Sequence, residues 1–130
     1  MPNLFGPINS GAAVGGNGVA TANKDSDVKV SGKVLAVYIK YNDSPPAGTT
    51  DVVIATKGTH APALPILTIS NAATDGWFFP RAAAVSQAGA ALVYSTGNPV
   101  EAVMPISDIV NVAIAQANAA DNVDVWLMLE

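Results

Sequence analysis

Cysteine is absent from this chain of 130 residues, and histidine occurs once, as His60. Without cysteine there can be no disulfide framework, no zinc–thiolate site and no cysteine nucleophile. A single histidine still permits a serine–histidine–acid triad, but no Gly-x-Ser-x-Gly elbow or comparable setting for a nucleophile accompanies it. We interpret His60, within Gly58-Thr59-His60-Ala61-Pro62, as an exposed loop histidine.

Charged side chains are also scarce. Six basic and ten acidic residues make up 12% of the chain, and the formal net charge is −4. A nucleic-acid partner needs clustered lysine and arginine for phosphate contacts, and the sequence has no such cluster. It also lacks the run of about 18 apolar residues that a transmembrane helix needs. The N-terminus has neither the basic start nor the continuous apolar stretch of a secretory signal. We therefore expect neither a nucleic-acid nor a membrane partner.

Residues 1–26 form a separate compositional zone, rich in glycine and amide side chains and poor in large apolar ones. Such a segment buries too little surface to offset its ordering entropy, which predicts a flexible or extended N-terminal arm. A small apolar cluster near its tip is the exception. Either this cluster tucks back onto its own domain or it anchors the arm on a neighbouring subunit. The cluster consists of Leu4, Phe5, Pro7 and Ile8.

Residues 27–130 have the pattern of a single β domain. Both faces are apolar over residues 34–39, as in a central strand that is covered on two sides. Further strands are predicted at about 50–56 and 64–69, with a strong loop signal at 42–48. Turn signals recur along the domain, and helices do not alternate with strands. The sequence predicts an all-β fold: a β-sandwich or jelly-roll-like small barrel of about eight short antiparallel strands, preceded by the arm.

The clearest alternation lies at the C-terminus. Val110, Val112 and Ile114 share one face, and the apolar residues of 123–129 alternate in the same way. Residues 118–122 between them carry a turn signal. This spacing predicts a C-terminal hairpin whose last strand lies inside a sheet.

Carboxylates are the remaining candidates for catalysis or metal binding. Most of the eight aspartates stand beside turn residues, where the side chain bonds nearby backbone N–H groups. No calcium-binding loop of the D-x-[DN]-x-[DN]-G type occurs, although a calcium site built from distant segments stays open. Gly11–Gly18 lacks the Lys-Ser/Thr and the preceding strand of a phosphate-binding loop. We predict no enzymatic activity, no cofactor and no metal site.

Aromatic residues and a nearby arginine are the strongest binding signal. Trp77, Phe78 and Phe79 are consecutive, and Arg81 follows after one residue. Aromatic and arginine side chains are enriched at protein interfaces, and exposed aromatics also bind sugars. Because side chains alternate along a strand, at least one of the three aromatics is expected to point into the core.

Several phrases of the sequence resemble small structural proteins from the head-gene region of tailed bacteriophages, above all the capsid decoration (cement) proteins. These phrases are YNDSPPAGTTDVVI (residues 41–54), TDGWFFPR (74–81), PISD (105–108), and AQAN to VDVWL (115–127). The resemblance implies a β-rich, often trimeric protein on the outer capsid surface, which bridges major capsid protein subunits. Several members of that class use an N-terminal arm for this purpose. No residue-level binding motif is carried over.

The leading hypothesis is therefore a non-enzymatic virion structural protein. It would assemble in the host cytoplasm, oligomerise, with a trimer favoured, and stabilise the lattice of the major capsid protein. Its arm would contact that lattice, and the uncharged run from Ala82 to Val100 would supply further contact surface. The alternative is a carbohydrate-binding or host-recognition β-module, such as a head fibre or lectin-like domain, with Trp77 as its first candidate. A small β-sandwich hydrolase ranks third.

Overall fold

The computed structural model describes residues 2–42, 46–94 and 97–130, so the loop predicted at 42–48 lies partly outside the described residues. The fold is all-β, as predicted. None of the described residues forms a helix long and apolar enough to cross a membrane. The strands are β1 (Asn3–Asn9), β2 (Ala20–Asp25), β3 (Val30–Tyr41), β4 (Asp51–Thr56), β5 (Pro65–Ile69), β6 (Gly76–Phe78), β7 (Ala82–Ala83), β8 (Glu101–Ala102), β9 (Met104–Asp108), β10 (Val110–Ala117) and β11 (Val123–Leu129).

Two antiparallel sheets contain nine of these strands. In the larger sheet β1, β11 and β3 are neighbours in that order, and β6 and β9 both pair with the other edge of β3. The smaller sheet has the order β2-β10-β4-β5. The two remaining strands, β7 and β8, pair only with each other among the described residues.

The core forms between the two sheets, because alternate residues of their central strands point inward. In β11, Val123, Val125 and Leu127 are at most 1% exposed, whereas the residues between them are half-buried. Val110 and Val112 of β10 are fully buried in the same cluster, although they belong to the other sheet. β-Branched residues suit these positions, since they favour extended backbone and pack well on a pleated surface.

The predicted C-terminal hairpin is wrong. β10 pairs with β2 and β4, whereas β11 pairs with β1 and β3, so residues 118–122 cross from one sheet to the other. A period of two identifies which face of a strand is buried, but it leaves the hydrogen-bonding partner undetermined. The two apolar faces meet across the sandwich. The last strand does lie inside a sheet, as predicted.

The N-terminal segment, described from residue 2 to residue 26, includes regular strands. It supplies two strands, with β1 pairing with β11 and β2 pairing with β10, each at the edge of its sheet. Backbone hydrogen bonds to long central strands order this segment although it has few large side chains. Gly6 permits the close approach, because a Cβ there would lie 2.7 Å from the carbonyl oxygen of Val125, and its φ is +134°.

The edge strand beside β3 is interrupted. β6 pairs with residues 37–39 of β3, and β9 pairs with residues 30–34 of the same edge. Between them the chain leaves the sheet over residues 79–103, which we call the excursion. β7 and β8 belong to it. The excursion covers the uncharged run that the sequence marks as contact surface.

Candidate interaction surfaces

Backbone hydrogen bonds hold the excursion together. Ala84 N donates to Val100 O at 2.9 Å, Leu92 N donates to Ala84 O at 2.9 Å, and Val100 N donates to Leu92 O at 3.1 Å. Three chain segments thus meet in a ring of hydrogen bonds. A turn closes at Ser86–Ala90, where Ala90 N donates to Ser86 Oγ, and Tyr94 N donates to Asn98 O.

Most side chains of the excursion are exposed, and many of them are apolar. Val85, Leu92, Val93 and Tyr94 are between 44% and 61% exposed, and none of the described residues in 82–94 or 97–102 is buried. The sequence has no charged residue from position 82 to position 100. A segment that buries so little surface gains little from folding on its own. Contiguous apolar exposure of this kind marks contact surfaces.

Arg81 stands at the base of the excursion. One nitrogen of its guanidinium, Nη1, donates to Leu35 O at 3.0 Å and to Pro80 O at 2.7 Å. Leu35 belongs to the part of β3 between the segments that β6 and β9 cover. The arginine that the sequence marked as an interface candidate therefore bonds the backbone where the edge strand breaks.

The three consecutive aromatics separate by face. Phe78 lies opposite Val37 and packs against the core, as strand alternation predicts. Trp77 lies opposite Tyr38 on the outer face and is 47% exposed, and Phe79, just beyond the strand, is 64% exposed.

Two further aromatics complete a row across the outer face of the larger sheet. Tyr38 lies between Trp77 and Trp126, with ring centroids 5.0 Å and 5.8 Å away. We call Trp77, Tyr38 and Trp126 the aromatic row. Together with Leu4 they line a groove of about 230 Å³. The sequence alone does not group these residues, because their contacts link strands far apart in the chain. In β3 and β11 the alternation of Tyr38 and Trp126 with inward apolar residues could have placed each of them on an outer face.

The four apolar residues predicted to anchor the arm do not act as one cluster in the isolated chain. Ile8 is buried in the core, and Phe5 packs against it. Leu4 and Pro7 are exposed. Only the latter two therefore present their side chains to another molecule.

The buried acid Asp108 was not singled out from the sequence. It is 1% exposed, and its carboxylate accepts backbone N–H groups of Gly58, His60, Ala61 and Ile109 at 2.7–3.4 Å. Loss of hydration on burial raises the pKa of the Asp108 carboxyl. The four hydrogen bonds together lower this pKa by more, so it lies below its ordinary value. The carboxylate orders the loop that carries His60.

The carboxylates of the described residues do not form a metal-binding cluster. Among residues 2–42, 46–94 and 97–130, no group of three His, Asp or Glu side chains could hold a metal ion. Asp121, like Asp108, accepts hydrogen bonds from the backbone, at Asn118 and Ala47. His60 is exposed, and its backbone N–H donates a hydrogen bond to the carboxylate of Asp108.

Comparison of the chain with models of protein families, with curated proteins and with solved structures finds no match.

Proposed function

We propose that this chain is a non-enzymatic structural protein of a bacteriophage virion. In this proposal it binds the outer surface of the capsid, in the manner of a decoration protein, and stabilises the lattice of the major capsid protein. It acts as a homo-oligomer, with a trimer favoured, and its assembly takes place in the host cytoplasm.

The observation that carries the proposal is the excursion. Its residues 82–100 carry no charge, and Val85, Val93 and Tyr94 among them are more than half exposed beside a well-packed sandwich. Interface centres are depleted in charge, and residues 82–100 of this segment carry none. Many identical contacts on a lattice add avidity, so each one can be small.

The sequence phrases that resemble decoration proteins support the same conclusion. One of them, residues 74–81, contains β6 and ends at Arg81, within the first residues of the excursion. The others overlap the end of β3, β4, β9, the end of β10 and β11, which belong to the two sheets of the sandwich.

A binding assay with capsids that lack this protein tests the proposal. We expect the purified full chain to co-sediment with such capsids to a saturating stoichiometry and to raise the temperature at which they disrupt. Val93→Asp should weaken binding at least about tenfold, because it places a charge in the apolar contact. Val53→Asp is the matched control, since Val53 is also exposed but lies on β4 of the other sheet.

Two outcomes would overturn the proposal: no association of the wild-type chain with capsids, or equal loss of binding in both valine variants. The contribution of the N-terminal residues needs a point substitution, because deletion of residues 1–26 would remove β1 and β2. Leu4→Asp changes an exposed side chain. Normal occupancy by this variant would remove the arm from the proposal and leave the excursion as the contact.

A further inference from the structure

The outer face of the larger sheet carries a second row beside the aromatic row. Lys40 lies opposite Asp124 in the strand register, and Asn9 lies opposite Asp124 on its other side. The Asn9 amide Nδ2 donates to Asp124 Oδ1 at 2.8 Å. We call Lys40, Asp124 and Asn9 the polar row. It runs across the same strands, two residues along from Tyr38 and Trp126, and so it shares their face.

We infer that the aromatic row and the polar row together form a binding site for a soluble oligosaccharide. A pyranose ring presents apolar C–H faces and hydroxyl edges, and these two rows present aromatic faces and hydrogen-bonding groups side by side. Ligand sites combine apolar lining with a few placed polar groups in this way. The site uses no residue of the excursion, so the inference goes beyond the proposed capsid-binding function.

The charges of the site favour a neutral ligand. Lys40 and Asp124 face each other in the register and offset one another, and no cluster of cations accompanies the aromatics. A nucleic acid would require such a cluster beside the stacking rings. Hydroxyl groups, which both donate and accept hydrogen bonds, fit the Lys40 ammonium and the Asp124 carboxylate. The Asn9 amide bonds within the chain, to Asp124, Asn122 and the Gly11 N–H, and so positions the carboxylate.

The geometry of the rings favours a free chain over a crystalline surface. Tyr38 is tilted by 54° against Trp77 and by 53° against Trp126, so the three rings cannot all lie flat on one plane. A flexible or twisted oligosaccharide can follow such a groove with successive sugar units. The position of Gly6 contributes to this shape, because a Cβ there would lie 3.2 Å from Cδ1 of Trp126.

The experiment is a glycan array that includes bacterial surface glycans, followed by calorimetry with the bound glycans and with cellotetraose, chitotetraose and maltotetraose. We expect the wild-type chain to bind at least one soluble oligosaccharide and to leave microcrystalline cellulose and chitin unbound. Trp77→Ala should weaken that binding at least about tenfold, because it removes one of the aromatic side chains that contact the sugar. Lys40→Ala, at an exposed position, should weaken it with the fold intact. Tyr94→Ala is the matched control and should bind as the wild type, because Tyr94 is an exposed aromatic outside both rows.

Three results would overturn the inference. The first is no binding by the wild type to any of these glycans. The second is binding that neither Trp77→Ala nor Lys40→Ala changes. The third is an absence of glycan binding together with a lower particle mass in solution for Trp77→Ala than for the wild type. This result would show that the face binds a second copy of this chain.

Discussion

The sandwich and the excursion use the same kinds of residue in opposite ways. Leu127 is fully buried between the sheets, whereas Leu92 in the excursion is 44% exposed. Val125 and Val93 form a similar pair, at 0% and 58% exposed. Burial of such side chains contributes to folding only in the first region, where each is worth about 1.5–3 kcal/mol. The apolar residues of the chain therefore lie in two settings, a buried core and an exposed segment.

The largest expected effect comes from emptying the core. Leu127→Ala should lower the free energy of unfolding by about 2–5 kcal/mol, because it removes buried methyl groups and leaves a cavity. The matched change Leu92→Ala, in the excursion, should alter it by roughly 0.5 kcal/mol or less. Urea denaturation monitored by tryptophan fluorescence measures both. Equal losses in the two variants would contradict the division between a core and a contact surface.

A loop outside the sheets offers a second contrast with the excursion. Residues 58–61 are ordered by the buried carboxylate of Asp108. Residues 82–94 of the excursion have no buried side chain, and backbone hydrogen bonds and the Ser86 hydroxyl contribute to their order. Asp108→Asn should destabilise the protein at neutral pH by less than Leu127→Ala. An amide replaces one accepting oxygen with a donor, which faces other donors. Asp27→Asn, at an exposed position, is the control.

The pH dependence of this effect has a definite sign. The pKa of Asp108 is lowered in the folded state, so its carboxylate stabilises the fold above the ordinary value of 3.8. That stability is lost as the pH falls through the lower, folded-state pKa. The difference in unfolding free energy between wild type and Asp108→Asn should be constant from about pH 5 to 7 and should shrink in more acidic solution. A difference that grew on acidification would refute this role.

The sequence predicted the strands and their buried faces, but it predicted their partners poorly. Val123, Val125 and Leu127 carry a signal within one short segment, and this signal reports burial directly. The pairing of β10 and β11 depends on partner residues 54 to 126 positions away along the chain. A turn between two alternating segments is equally compatible with a hairpin and with a crossing between sheets. Long-range pairing, unlike alternation, leaves no local pattern.

The interaction surfaces were predictable to different extents. The lack of charge from position 82 to 100 marked the excursion, because an absence of charge can be read directly from the sequence. The sequence identified only one member of the aromatic row, Trp77. Tyr38 and Trp126 become its neighbours through the pairing of β6, β3 and β11, which the sequence does not show. Asp108 resembled any aspartate beside a turn, and only the fold reveals the four donors around it.

A small effect on stability, and the sharpest test of the excursion, is expected from Arg81→Ala. Its two hydrogen bonds to backbone carbonyls are exposed or half-buried, so their loss should cost about 1 kcal/mol or less. The affinity for capsids should fall by more than this small loss of stability would cause, because the guanidinium fixes the base of the excursion against β3. Lys33→Ala removes the same charge from the same edge of β3 and should leave binding unchanged. If both variants lose binding equally, net charge governs attachment; if only Arg81→Ala does, the apolar segment must be presented in one orientation to act as a contact.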